Sequence, residues 1–184
     1  QGIRQIELDV FSDREGGLFA TPAGPILVAS QGLPPGPDHD PEGELAEPGL
    51  KVLHIQDVDF RSTCLSFETC LQAVKSWSEA NPSHLPILIL VEAKDDPIPD
   101  PGFGFVVPET FDAEALDEVD ATIRDVFPAW QLITPDEVRG GRSSLEEAVR
   151  MGDWPTLARA KGRVLFALDN GGRVRDLYVA GHPS

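Results

Sequence analysis

Positive charge is what this sequence has least of. Fifteen Lys and Arg stand against 31 Asp and Glu, giving a formal net charge of −16 over 184 residues. Binding along nucleic-acid phosphates depends on basic side chains that release counterions, so no nucleic-acid partner is expected. The same deficit argues against a basic patch that holds the chain on an anionic membrane. A phosphate-ester substrate would need its charge offset locally, and a bound divalent cation does that. No run of about 18 apolar residues occurs, so no transmembrane helix is expected. Residues 1–4 lack a signal-peptide pattern and read as the start of a strand, so further chain is expected upstream.

Cysteine is scarce too. Cys64 and Cys70 are the only two, with five residues between them. No second pair completes a tetrahedral zinc site, and His39, His54, His84 and His182 show no ligand spacing. At this point the pair is open between two buried thiols and a disulfide. There is also no internal repeat, and no glycine-rich phosphate loop follows a strand.

What is present is an alternation of strands and helices. Ile6, Leu8 and Val10 alternate with Gln5, Glu7 and Asp9, a strand period over residues 3–10. A Pro/Gly-dense surface loop runs from Gly32 to Gly49, and Lys51 to His54 reads as a short strand ending on a histidine. Phe67, Cys70, Leu71, Val74 and Trp77 mark an amphipathic helix from Ser66, its N-cap, to Ala80. Pro86 to Glu92 is apolar up to its last residue, as in a strand covered on both faces.

A second loop, rich in Pro and Asp, spans 95–108. Leu116, Val119, Ile123 and Val126 predict a helix over about 112–127, stopped by Pro128. Ser144 to Glu147 is a capping box that opens a shorter helix. Trp154 to Ala160 is a further short helical piece, and Arg163 to Asp169 another buried strand. This order implies an α/β fold with a parallel sheet. A (β/α)8 barrel fits better than the alternative, an open doubly wound sheet, because no glycine-rich phosphate loop follows a strand. His54, Glu92 and Asp169 also stand where strands end, and barrels carry chemistry at C-terminal strand ends. A complete barrel needs roughly 250 residues. Residues 1–184 therefore read as one partial barrel domain, with its first and last strands outside this chain.

Glu7 and Asp9 are two apart on a strand, so both side chains leave the same face, about 7 Å apart at the backbone. Inward-facing acids lose their water at high cost, and a hard divalent cation relieves that cost by taking their oxygens. Glu92, ending an apolar strand, adds a third carboxylate. The bland alternative is an exposed acidic edge and a loop glutamate. His54 could protonate a leaving oxygen, a role the imidazole group suits in general, although a lone histidine is more often structural. Lys94 reads equally as a phosphate contact or an exposed lysine. His39, His84 and His182 read as surface residues.

The segment Gly2 to Val10 resembles a strand motif of the phosphatidylinositol phospholipase C and glycerophosphodiester phosphodiesterase superfamily. Val52 to Cys64 and Pro86 to Asp95 are similar to the bacterial and fungal branch of calcium-dependent phosphoinositide phospholipases C. The likeness continues through Leu132 to Val138, Ser144 to Val149 and Val164 to Asn170. The resemblance implies a barrel with one calcium ion at its mouth, Glu7, Asp9 and Glu92 as ligands, and His54 as one of two catalytic histidines. By their places at strand ends, Lys94 and Asp169 are candidate substrate contacts. The resemblance also implies a disulfide between Cys64 and Cys70, a secreted protein and transient contact with a membrane surface. Phe103 and Phe105 are candidates for that contact.

The implied reaction is attack of the inositol 2-hydroxyl on phosphorus with loss of diacylglycerol. The other catalytic histidine and a further metal ligand are expected outside this chain. Two other readings share these residues. Glu92 to Lys94 resembles the E-x-K motif of glycerophosphodiester phosphodiesterases, and a non-catalytic barrel that binds calcium or a lipid headgroup is the third.

Overall fold

Alternating apolar residues make the first strand, β1 (Gln5–Phe11), and its neighbours set the architecture. The structure, a computed structural model, describes residues 2–182. A short helix α1 (Gly24–Ser30) and a 3-10 turn at Glu44–Ala46 precede β2 (Lys51–Val52). Helix α2 (Phe67–Ala80), strand β3 (Ile87–Ala93) and helix α3 (Ala113–Val126) follow. Three short helices, α4 (Pro135–Arg139), α5 (Leu145–Met151) and α6 (Leu157–Ala160), lead to β4 (Val164–Leu168). Helix α7 (Gly172–Gly181) ends the described chain.

The four strands form one sheet in the order β2-β1-β3-β4. β1 pairs with β3, and β3 with β4, in parallel. β2 is antiparallel to β1, which corrects the expectation of a wholly parallel sheet. A parallel return requires a crossover that covers the sheet. Residues 12–50 instead loop out and bring Lys51 back opposite Phe11, at the same strand end they left. The described residues make an open sheet, not a closed barrel.

Both long helices start on a side-chain cap. Ser66 Oγ accepts the Thr69 N–H at 3.1 Å, and an Asp112 carboxylate oxygen accepts the Ala115 N–H at 3.0 Å. Their apolar stripes cover one face of the sheet, where Val10, Ile89 and Val91 pack with Phe67, Leu71, Leu116 and Ile123. The opposite face carries Glu7, Asp9, Leu90 and Glu92. Parallel register sets Glu7 beside Leu90 and Asp9 beside Glu92. Among the described residues no helix is long and apolar enough to cross a membrane.

Candidate metal centre

Three carboxylates meet where β1 and β3 run side by side. Glu7, Asp9 and Glu92 each offer an oxygen, and these oxygens all lie within 4.8 Å of one another. The cause is local. A two-residue step keeps Glu7 and Asp9 on one face of β1, and the parallel register brings Glu92 against Asp9. Burial pushes the Asp9 carboxyl up to about 6, helped by its hydrogen bond to Glu92 and by the charges of Glu92 and Glu7, while Lys94 opposes the shift. One Asp9 oxygen, Oδ1, is buried without a hydrogen-bond partner. Lys94 Nζ lies 3.4 Å from Glu92 Oε2 and 4.0 Å from Asp9 Oδ2. Clustered hard oxygens, one of them unsatisfied, fit a divalent cation of the calcium type.

The end of β3 is held firmly. Lys94 N–H donates to Val10 O at 2.8 Å. Asn170 clamps Ala93 on both sides: its Oδ1 accepts the Ala93 N–H at 2.8 Å and its Nδ2 donates to Ala93 O at 2.9 Å. Asp169 sits at the exposed end of β4, its own N–H bonded to Val91 O at 2.8 Å. Its carboxylate is not part of the group formed by Glu7, Asp9 and Glu92.

His54 lies elsewhere than expected. β2 stops at Val52, so His54 belongs to the turn that follows rather than to a strand end. The physical reason is a tight bend in which Ile55 and Asp59 exchange both backbone hydrogen bonds, at 3.1 and 3.0 Å. His54 Nδ1 is 2.7 Å from Asp59 Oδ2, and both side chains are exposed. A carboxylate on Nδ1 orients the ring and leaves Nε2 facing away from that contact. His84 also departs from its surface reading. It is buried, with Nε2 2.7 Å from Ser78 Oγ and Nδ1 against Leu85 O, because the chain after α2 folds back under Trp77.

Cys64 and Cys70 are joined by a disulfide with a Cα separation of 5.2 Å, tying the approach segment to the first turn of α2. The sequence offered no role for Asp59 or Asn170. A histidine and an aspartate five apart across a turn are the only local signal for the first. The Asn170 clamp reaches across 77 residues and leaves no local signal.

A family model described as "Phosphoinositide phospholipase C, Ca2+-dependent" matches residues 1–184. The chain belongs to this family. Solved structures agree on the fold of this calcium-dependent phosphoinositide phospholipase C family. The apo form of a calcium-dependent phosphoinositol-specific phospholipase C from Pseudomonas sp. is 20% identical, with a TM-score of 0.61 over 99% of this chain and 53% of its own. The same Pseudomonas enzyme with myoinositol is 21% identical, TM-score 0.59, over 99% of this chain and 53% of its own. The Ca2+-dependent phosphatidylinositol-specific phospholipase C of Streptomyces antibioticus is 25% identical, TM-score 0.56, over 98% of this chain and 51% of its own. The chain thus spans about half the length of these family members. No curated protein matches it.

Proposed function

We propose that the protein of which this chain forms part is a secreted, calcium-dependent phosphodiesterase that cleaves phosphatidylinositol-type phospholipids. One observation carries the reading: the Glu7, Asp9 and Glu92 carboxylates converge at one strand end in a chain matched throughout by this family's model. Glu7, Asp9 and Glu92 hold the calcium ion, which when bound stabilises negative charge on the phosphate and the attacking oxygen. The inositol 2-hydroxyl forms the new bond to phosphorus, and the bond from phosphorus to the diacylglycerol oxygen breaks. His54, oriented by Asp59, gives its proton to that leaving oxygen, which yields diacylglycerol and a cyclic inositol phosphate. This reading leaves deprotonation of the 2-hydroxyl to a second histidine of the full-length protein.

Lys94 and Asp169 contact the substrate, the Lys94 ammonium, beside Glu92 in this structure, being placed to meet a phosphate oxygen. The disulfide supports an extracellular location. Exposed Phe103 and Val107 on the loop after β3 support transient contact with a lipid surface. The isolated 184-residue chain, with half of the acid–base pair, is inactive in this reading.

The test offers the full-length protein phosphatidylinositol and glycerophosphoinositol side by side, with and without a calcium chelator. Water-soluble inositol phosphate released from the lipid only with calcium is the expected result. Cleavage of the deacylated compound alone would make the protein a glycerophosphodiester phosphodiesterase. Turnover of neither would leave a binding domain.

A further inference from the structure

The turn that carries His54 is built around a backbone conformation that its sequence does not favour. Asp57 has φ of 64°, and no other described residue except glycine has a positive φ. A side chain in this region crowds its own backbone, and such residues persist when their surroundings over-determine them. The Val58 N–H donates to Gln56 O at 2.8 Å, closing a three-residue turn with Asp57 at its centre. The Asp57 side chain is buried, yet among the described residues no cationic side chain forms an ion pair with it. Its two oxygens instead accept backbone N–H groups from two distant loops: Oδ1 from Ala23 at 2.8 Å and Oδ2 from Val106 at 2.6 Å.

The neighbours reinforce the arrangement. Gln56, also buried, donates from Nε2 to Asp96 O at 3.1 Å, just past the end of β3. The first residue of α1, Gly24, packs so closely that a Cβ there would sit 2.6 Å from Asp57 O and 2.5 Å from the Phe60 ring. Three segments from separate parts of the chain therefore meet at one carboxylate. The bend between them presents His54 and Asp59 to solvent.

We infer that Asp57 is a positioning residue: its buried carboxylate staples the loops at Ala23 and Val106 to the turn bearing His54 and Asp59, and so fixes where the imidazole stands. The inference rests on the reading of His54 as the general acid. A carboxylate offers an acceptor oxygen to each loop, whereas an asparagine would turn its NH2 toward one of the two N–H donors. Misplacing a reacting group by about 1 Å can cost on the order of 100-fold in rate.

The test uses the full-length protein with phosphatidylinositol and calcium. Asp57→Asn keeps the residue tolerant of positive φ and removes one acceptor. Asp57→Gly frees the backbone altogether and removes both. Both variants are expected to lower kcat by about 10- to 100-fold at an unchanged calcium requirement. In a His54→Ala background the same changes should cost almost nothing more, because the staple acts through the imidazole.

Full activity in Asp57→Gly would show that backbone conformation alone matters and would overturn the inference. An undiminished penalty in the His54→Ala background would overturn it as well. Should Asp57→Asn fail to fold, Asp57→Gly carries the comparison, with hydrogen exchange at Ala23 and Val106 reporting whether the loops are released. A His54→Ala protein of unchanged rate would instead remove the acid assignment and leave the staple as structure only.

Discussion

At the scale of single residues, the charge held by Asp9 dominates the candidate centre. Its carboxyl is raised from an ordinary 3.8 to about 6, first by burial and then by the neighbouring Glu92 and Glu7. An acid whose folded value is raised favours the folded state when protonated. That contribution is complete below the unfolded value and is lost as pH rises through about 6. Burial raises the Asp13 and Glu118 carboxyls as well, so the whole protein's pH dependence is not a clean readout. The comparison with Asp9→Asn isolates the site. In chelator, the urea midpoint of the parent protein should fall more between pH 4 and 7 than that of Asp9→Asn. With calcium at pH 7 the order should reverse, the parent becoming the more stable of the two. Equal pH slopes for both proteins in chelator would remove Asp9 from this role.

At the scale of elements, the centre depends on how the end of β3 is held. Asn170 replaces the next strand residue by bonding both peptide groups of Ala93, the neighbour of Glu92. Asn170→Ala should cost about 1–3 kcal/mol in unfolding free energy and should weaken calcium binding, both read from denaturation and calcium titration. A loss of stability with calcium affinity intact would make Asn170 a fold residue only.

The same scale shows what residue patterns reveal. The period of two in β1 and the acid that closes β3 were readable, because strand geometry alone puts Glu7 and Asp9 on one face. Helix starts at Ser66 and Asp112 were readable for the same local reason. At Ser144 the cap also forms, accepting the Glu147 N–H at 3.1 Å, but the Glu147 carboxylate closes on Ser143, one residue earlier than in a regular capping box.

Long-range pairings were not legible. The antiparallel sense of β2 depends on how a loop of some forty residues returns, and two paired residues give no periodicity of their own. Helix α1 buries little beyond Gly24, and α7 sets only Val174, Leu177 and Tyr178 against the core, a stripe one turn long that gives little signal in the sequence. The partners of His54 and His84, Asp59 and Ser78, are side chains whose contact depends on the turn, not on spacing.

At the scale of the whole molecule, one face of the sheet is packed by helices and the other presents the acidic strand ends. The chain spans about half of its solved family members, so the face that bears Glu7, Asp9 and Glu92 is described here from one side. In a chain whose net charge is already −16, the clustering of three of its carboxylates is unfavourable unless cationic charge offsets them. On the proposed reading, calcium in this centre would stabilise the folded chain as a whole, by an amount that grows with free calcium.

Calcium titration of the unfolding midpoint tests that claim most directly, applied to the parent protein and to Glu7→Gln, Asp9→Asn and Glu92→Gln. The midpoint of the parent should rise with calcium, and each substitution should flatten that rise. A rise of equal size in all three variants, or none in the parent, would contradict calcium binding at Glu7, Asp9 and Glu92.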